Sequence, residues 1–364
     1  MKIGILTFHC AHNYGAVLQC YALQETLKDM GFDVEVIDYR PFFIRYDKYI
    51  NIKNIRNRRG IINKIKYLLK GIIKIPKQVL RYNAFDKFIR KRLLLSEHNN
   101  DYSFIPDKYD VYIIGSDQVW NNRITNGYHL PYFAHFNFVK GNRKYISYAA
   151  SMETNKINDE SIKDLLLQFN HISVRETNLV DILQPYYPKK IYNVLDPTLI
   201  VNLNIWNKIC VKPKYSNKYV LVYQAITENY TKHIANEIAK QLNVSVIEIY
   251  SYVDYLNKKN SFQCATPEEF LGWFKFAECI ITTSFHGTAF SIIFNKPFYT
   301  IELNSDWNSR TYSLLNLLKL ESRIIKNNQS PQFCKINYIE VNNKLNNLKD
   351  ESKSFLYNSI KYDS

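Results

Sequence analysis

Short apolar runs alternate with stretches of helically spaced apolar residues along most of the chain. The run KIGILTF is followed by a loop and then by residues 17–31, where apolar side chains recur at three- and four-residue spacing and Gly31 ends the pattern. The run DVEVIDY comes directly afterwards. A strand, a helix and a second strand within about 40 residues predict a βαβ unit and therefore a parallel sheet.

The same alternation continues in two sets. The first contains DVYIIGS, KYISYAAS and HISVRE and finishes in IYNVLDPTL, where Pro197 stops the strand. The second begins at YVLVYQAI, and its TPEEFLGWFKFAE carries the signature of a helix capping box. We therefore predict two α/β Rossmann-like domains, residues 1–197 and 198–335, whose parallel sheets face a central cleft. A helical segment, residues 336–364, is expected to pack back on the first domain.

A basic insertion covers about residues 45–95 of the first domain. Residues 45–92 hold 16 Lys and Arg against two Asp, and so carry nearly all of the chain's net charge of +15. Within them, GIINKIKYLLKGIIKI has apolar residues at helical spacing with lysines between. Such a helix can lie on an anionic membrane surface, or it can pack its apolar face on the domain. The second arrangement is the more common, and it is the one predicted here.

Composition restricts the remaining classes of function. The six cysteines include no C-x-x-C pair, which favours free thiols in a reducing compartment over disulfides or a zinc site, and no metal is expected. The chain has no apolar run of about 18 residues, and its first residues are too short for a signal peptide, so a cytoplasmic protein is expected. The positive charge is confined to one insertion with aliphatic residues between the lysines, which disfavours binding of nucleic acid.

Four predicted strand ends carry polar residues that a fold alone does not require. Each has an ordinary explanation by itself: a turn, a helix cap, a surface ion pair or a structural histidine. Their convergence on one cleft is what favours a site, because ligands bind beyond the carboxyl ends of parallel strands. The residues are Asn13 and Gly15, Ser116, Asp117 and Gln118, Arg175, and Ser284, His286, Gly287 and Thr288.

The turn around His286 and Gly287 suggests specific chemistry. Free backbone N–H groups at a helix start attract phosphate or carboxylate, and Gly287 would let the anion approach closely. A histidine beside a bound anion can serve as a general acid, Asp117 can serve as a base, and Arg175 offers a fork for an anion. These groups together indicate transfer from a phosphorylated donor to a hydroxyl.

Five motifs, in this order, resemble those of the polysaccharide pyruvyl transferase family over about residues 3–320. They are NYGAVLQCYALQ, GSDQVWN, SVRE, LDPTL and TTSFHGTAFSIIFNKPF. The resemblance implies an α/β, GT-B-like fold. It also implies transfer of pyruvate from phosphoenolpyruvate to two hydroxyls of a sugar, in a cell-surface polysaccharide or its lipid-linked precursor, with release of phosphate. Phosphoenolpyruvate would be a substrate, and no cofactor is implied.

The same resemblance implies roles for single residues. His286 would be the acid, Asp117 the base and Arg175 a donor-binding residue, while Asn13 and Gly15 would lie near the reacting atoms. Ser116, Gln118, Gly287 and Thr288 are expected to line the substrate site.

One position departs from the family's pattern. Some members carry arginine two residues before the motif histidine, where this chain has Ser284, and Arg310 is then the expected replacement cation. The departure keeps two alternatives open, a GT-B glycosyltransferase that uses a nucleotide-sugar and an inactive family member. A lipid-linked acceptor would also give residues 45–92 a role, holding the enzyme peripherally on an anionic inner membrane face.

Overall fold

Two parallel six-stranded sheets form the framework of the protein. The structure is a computed structural model, which describes residues 1–44, 60–97, 104–157, 159–255, 259–303, 308–326 and 329–362. The prediction of an α/β fold with two parallel sheets is confirmed. The central strands of both sheets are buried nearly throughout, as is typical of parallel sheets that are covered on both faces.

The first sheet has the strand order β2-β1-β3-β4-β5-β6. Its strands are β1 (Lys2–Leu6), β2 (Asp33–Val36), β3 (Val111–Asp117), β4 (Lys144–Ala150), β5 (His171–Val174) and β6 (Ile191–Asn193). The helices in this part of the chain are α1 (Tyr14–Asp29), α2 (Ile61–Arg92), α3 (Asn122–Thr125), α4 (Ile162–Leu166), α5 (Thr177–Leu183), α6 (Pro197–Ile200) and α7 (Leu203–Ile209).

The second sheet has the order β12-β11-β10-β7-β8-β9. Its strands are β7 (Tyr219–Gln224), β8 (Ser245–Tyr250), β9 (Ser261–Phe262), β10 (Cys279–Thr282), β11 (Phe298–Ile301) and β12 (Ile324–Ile325). The helices are α8 (Asn229–Leu242), α9 (Pro267–Lys275), α10 (Phe285–Ile293), α11 (Ser309–Leu318) and α12 (Tyr338–Lys361). The predicted capping box is present at the start of α9, between Thr266 and Glu269.

The C-terminal helix α12 returns to the first sheet. Its Ser352 Oγ accepts a hydrogen bond of 3.0 Å from the backbone N–H of Leu195, which follows β6. The Phe355 ring lies 5.0 Å from the ring of Tyr192 in β6. The chain therefore crosses from the first sheet to the second and comes back, so that α12 ties the two halves together.

The start of α1 also joins the two halves. The Tyr14 hydroxyl donates to the backbone oxygen of Ala265, 2.8 Å away, and the Tyr14 ring stacks on Phe270 of α9 at 4.4 Å. Because Tyr14 belongs to the first β-α turn, this contact places that turn against the second domain.

The basic helix α2 differs from the prediction. Its apolar residues between Ile61 and Ile73 were expected to pack on the domain, but they are largely exposed, with Ile61 at 76% and Ile73 at 57%. The helix is instead buried through a different face near its C-terminal end, where Phe85 and Phe88 lie in the core. The prediction was wrong because periodicity shows which residues share a face but not which face meets the protein.

Two further points concern this segment. Residues 45–59 of the basic insertion lie outside the described residues. Across the described part of the chain, no helix is both long enough and apolar enough to cross a bilayer.

Candidate active site

The carboxyl ends of three strands of the first sheet meet the start of α10 from the second domain. β3 ends in Asp117, Arg175 follows β5, and Asp196 follows β6 at the start of α6. His286, in the first turn of α10, faces this group. The structure thus brings together Asp117, Arg175 and His286, which were singled out in the sequence, and adds Asp196.

Asp196 is the centre of this cluster and is completely buried. Its Oδ2 accepts hydrogen bonds from Arg175 Nη1 at 2.7 Å and from Ser116 Oγ at 3.2 Å. Its Oδ1 accepts from the backbone N–H and hydroxyl of Thr198. Burial by itself raises the pKa of Asp196, but His286, Arg175 and Thr198 outweigh it and hold that pKa well below its usual range. Asp196 is therefore a fixed, buried negative charge.

His286 lies between Asp196 and the first β-α turn. Its Nε2 is 3.7 Å from Asp196 Oδ2 and is buried without a closer hydrogen-bond partner among the described residues. On the other side, the ring covers Gly15 so closely that a Cβ at position 15 would lie 2.1 Å from His286 Nδ1. Gly15 is thus required at this place because the imidazole occupies the volume that any side chain would need.

Arg175 links the two aspartates. Its Nη2 donates to Asp117 Oδ1 at 3.2 Å while Nη1 engages Asp196, and its guanidinium carbon lies 4.6 Å from the centre of the Phe285 ring. Only 2% of the arginine side chain is exposed, against 12% for that of Asp117. In this arrangement Arg175 orients two carboxylates, and it is Asp117 that reaches towards solvent.

The residues around His286 in the TTSFHGTAF segment have hydrogen-bonding and packing roles. Ser284 is the N-cap of α10, and its Oγ accepts from the Gly287 N–H at 3.4 Å. The Thr288 hydroxyl is hydrogen-bonded to the Ser284 oxygen and to Thr300. A Cβ on Gly287 would lie 2.2 Å from Thr282 Oγ1, so close packing of α10 on β10 by itself accounts for this glycine.

Arg310, the expected replacement cation, is paired with Glu153 across the two domains. Its Nε and Nη2 donate to Glu153 Oε1 at 3.2 and 2.7 Å, and 13% of its side chain is exposed. The other oxygen of Glu153 accepts from the side-chain amides of Gln118 and Asn121. Gln118 therefore orients Glu153, and through it Arg310.

Two predicted substrate residues have local roles at the rim and floor of the site. Asn13 is exposed and caps α1, with Oδ1 accepting from the Ala16 N–H at 3.3 Å. Ser116 is fully buried, and its single hydroxyl proton is shared between Asp196 Oδ2 and the backbone oxygen of Ala149, each 3.2 Å from Oγ. Among the described contacts, Ser116 thus supports Asp196 beneath the site, whereas Asn13 is open to solvent.

Three acidic residues of the site were not predicted: Asp196, Glu153 and Glu176. Asp196 stands in the LDPTL motif, where an Asp before Pro resembles an ordinary helix cap. Glu176 is fully buried and accepts from Ser151 Oγ, and its desolvation raises its pKa. Their positions in the sequence could have identified all three as candidates, because each follows a strand of the first sheet.

Comparison with models of known protein families places the chain in one of them. A model of the family described as "Polysaccharide pyruvyl transferase" matches residues 13–305 of the chain. This range includes every residue of the cluster around Asp196. No protein of curated function matches the chain in a sequence comparison.

Some solved structures resemble this one weakly over nearly the whole chain. The UDP-GlcNAc 2-epimerase of Methanocaldococcus jannaschii in complex with UDP-GlcNAc and UDP has 14% identity, full coverage of both chains and a TM-score of 0.45. That of Neisseria meningitidis, bound to UDP-GlcNAc, has 11% identity, covers 100% of this chain and 95% of its own, and has a TM-score of 0.46. Arabidopsis thaliana UGT89C1 complexed with UDP-L-rhamnose has 9% identity, coverages of 99% and 97%, and a TM-score of 0.47. Nothing about donor or acceptor follows from likenesses this weak.

Proposed function

Because the chain belongs to the polysaccharide pyruvyl transferase family, we propose that it transfers pyruvate from phosphoenolpyruvate to two hydroxyls of one sugar residue. The products are a pyruvate ketal and inorganic phosphate. The observation that supports this proposal best is the cluster in which Asp117, Arg175, Asp196 and His286 meet at the junction of the two domains. The cluster has a candidate acid and a candidate base, held by a buried ion pair.

In the proposed reaction His286 gives a proton to the methylene carbon of phosphoenolpyruvate, which becomes the methyl group of the ketal. The central carbon then becomes electrophilic, and a sugar hydroxyl adds to it while its proton passes to Asp117. Phosphate leaves by cleavage of its bond to the central carbon and takes up the proton held by Asp117. The second hydroxyl then closes the ring, and its proton passes to His286, which restores the acid. Asp196 lies 3.7 Å from the imidazole, and Arg175 orients Asp117 for these proton transfers.

The donor carries a phosphate and a carboxylate, so the site must supply positive charge. Arg175 is already engaged by two carboxylates, so we assign this charge to Arg310 and the start of α10. In the proposal, the anionic donor competes with Glu153 for Arg310, and its binding is accompanied by rearrangement of this interdomain pair. This assigns to Arg310 the role that an arginine at position 284 has in some relatives.

For the acceptor we propose a sugar of a cell-surface polysaccharide or of its lipid-linked precursor. A lipid-linked acceptor would be met at a membrane face, where the basic helix α2 becomes relevant. The acceptor and the membrane are separate proposals, because the chemistry at His286 does not depend on how the acceptor is presented.

The proposal is tested by measuring phosphate release from phosphoenolpyruvate with a panel of glycan acceptors, and by detecting the pyruvylated product by mass spectrometry. We expect His286→Ala and Asp117→Asn each to reduce turnover by roughly 10²–10⁴-fold. His233→Ala is the matched control, because His233 lies exposed on α8, where it contacts Glu237 and Tyr230 of the same helix.

A second measurement isolates donor binding. Saturating phosphoenolpyruvate should raise the melting temperature of the wild-type protein, because a ligand that binds the native state stabilises it. Sugar transfer from a nucleotide-sugar without any reaction of phosphoenolpyruvate would overturn the proposal in favour of a glycosyltransferase. Absence of both activities, with no thermal shift, would indicate an inactive member of the family.

A further inference from the structure

The helix α2 has an apolar stripe that the rest of the described protein leaves uncovered. Nine Ile, Leu and Val side chains between positions 61 and 80 are from 37% to 76% exposed. They are Ile61, Ile62, Ile65, Leu68, Leu69, Ile72, Ile73, Val79 and Leu80. At ~100° and ~1.5 Å per residue, they fall within an arc of about 140° and form a stripe about 30 Å long.

The opposite side of the helix is the side that meets the protein. Lys77 Nζ donates to the backbone oxygen of Asp254 at 3.0 Å, and Lys70 Nζ lies 4.6 Å from the centre of the Tyr255 ring. Further along, Arg81 and Phe85 are buried. An ordinary surface helix buries its apolar face and exposes its lysines. Here the arrangement is reversed, so the apolar stripe is directed away from the protein.

Basic residues border the stripe and continue beyond its end. Residues 60–92 contain ten Lys and Arg against a single acidic residue, Asp86. Lys66 is exposed beside the stripe, and Lys87 and Lys91 are exposed on the continuation of the same face. An apolar stripe with cationic borders matches a surface that offers hydrocarbon beneath a layer of negative charge.

We propose that this face of α2 docks the protein on an anionic lipid membrane. The apolar side chains enter the boundary between headgroups and acyl chains, and the lysines contact lipid phosphates while their alkyl stems stay in the apolar layer. A second copy of the chain is a poorer occupant, because two such faces would bring together the like charges of two basic helices.

The docking proposal relies on the proposed function only for its purpose, which is to bring the cleft to a lipid-linked acceptor. The docking proposal and the proposed function can be disproved independently of each other. Loss of vesicle binding with intact turnover of a soluble acceptor would remove the docking proposal alone. Vesicle binding without any reaction of phosphoenolpyruvate would remove the proposed function alone.

The experiment is flotation of the full chain with vesicles of mixed phosphatidylglycerol and phosphatidylcholine, compared with vesicles of phosphatidylcholine alone. We expect binding to the anionic vesicles that weakens as salt is added. The variant Ile65→Ser/Leu69→Ser/Ile72→Ser/Ile73→Ser should lower the partition coefficient roughly a hundredfold. Replacing Lys66, Lys87 and Lys91 by Gln should lower it about fivefold for each charge removed.

Both variants have matched controls elsewhere on the surface. Val139→Ser/Ile339→Ser removes two apolar side chains that are 84% and 75% exposed, and should leave binding unchanged. Gln at Lys163, Lys208 and Lys240, all exposed, should have a much smaller effect than Gln at the three lysines of α2. All replaced side chains are exposed, so circular dichroism should show a folded protein in each case.

Three results would overturn the proposal: no flotation with anionic vesicles, equal binding by the serine variant, or equal losses in the two lysine variants. A fourth is a dimer in light scattering that the serine variant converts to a monomer, without any binding to vesicles. That result would assign the stripe to a second copy of the chain.

Discussion

Gly15 and His286, which are 271 positions apart in the sequence, are in direct contact at the junction of the two domains. The imidazole covers the glycine so closely that a Cβ at position 15 would come within 2.1 Å of Nδ1. Gly15, in the first turn of α1, thus leaves the space that the histidine from the second domain occupies. Gly15 does not need the conformational freedom of glycine, because its backbone lies within α1.

The first prediction follows from this contact. Gly15→Ala should destabilise the protein by about 1–3 kcal/mol, because the methyl group overpacks against the ring. In a His286→Ala background the space is free, and the same substitution should be neutral or slightly stabilising, since Ala favours a helix over Gly. Urea unfolding of the four proteins measures the difference. Equal effects in both backgrounds would mean that the contact does not govern position 15.

A second prediction concerns Asp196 and acid. Its pKa is depressed in the folded protein, so its ionised form stabilises the fold above about pH 4, the pKa of an unfolded Asp, and this contribution is lost as the pH falls through the folded pKa. At neutral pH, Asp196→Asn should be less stable by about 3 kcal/mol, because Arg175 loses a buried partner. The difference in the free energy of unfolding between the wild type and Asp196→Asn should become smaller on acidification. A difference that stays constant from pH 7 to acid would contradict the negative charge assigned to Asp196.

The third prediction is that Glu176 makes stability depend on pH in the opposite direction to Asp196. Burial raises its pKa in the folded state, so the native protein holds a proton that the unfolded chain has released. Its contribution is complete below about pH 4.3, the pKa of an unfolded Glu, and is lost as the pH rises through the higher folded value. The wild type should therefore lose stability relative to Glu176→Gln over that range. Glu340→Gln, at an exposed position, should show no such trend.

The sequence allowed prediction of what is determined locally, and this covers most of the fold. Strands, helices and the capping box at Thr266 follow from neighbouring residues, and they place Asp117, Arg175 and His286 at strand ends. What it did not show depends on contacts between distant segments. Gly15 looked like a turn residue, and Asp196 was not singled out, because their partners are far away in the chain.

The helix α2 also shows that sequence patterns do not reveal contacts between distant segments. Its helical character was correctly predicted, and so was the set of residues that share its apolar face. The direction of that face was predicted wrongly, because Phe85 and Phe88 fix the rotation of the helix from beyond the apolar stripe. Periodicity carries no information on which neighbour a face meets.

A fourth prediction separates structure from donor binding at the Glu153–Arg310 pair. The side chain of Glu153 is fully buried, so the two residues should show a coupling energy of about 2 kcal/mol in a double-mutant cycle of Glu153→Gln and Arg310→Ala. If Arg310 binds the donor, Arg310→Ala should also raise the KM for phosphoenolpyruvate, whereas Glu153→Gln, which releases the guanidinium, should not. A KM raised equally by both variants would assign the pair a structural role only.

The last prediction concerns Arg81, a buried arginine of α2 that joins the two domains. Its guanidinium donates to five oxygens, and only 1% of the residue is exposed. The acceptors are Tyr14 Oη and the backbone oxygens of His12, Tyr250, Ser251 and Gln263. No carboxylate is among these acceptors, so the contact depends on the direction of the donors and on the rings of Tyr14 and Phe85 beneath the cation.

Arg81→Met fills similar volume but leaves the backbone oxygens without their donor, and should lower stability by about 3 kcal/mol. Arg81→Lys should recover only part of this stability, because an ammonium cannot reproduce the planar fork of the guanidinium.

His12 provides a second measurement of the same contact. Burial and, to a lesser degree, Arg81 lower the pKa of His12 to about 4, so stability should fall as the pH drops from about 6.5 towards that value. In the Met variant the pKa of His12 should rise, which NMR titration measures. Arg90→Ala, at an exposed ion pair, should change stability by less than about 1 kcal/mol, and an equal loss in the two variants would contradict the bridging role of Arg81.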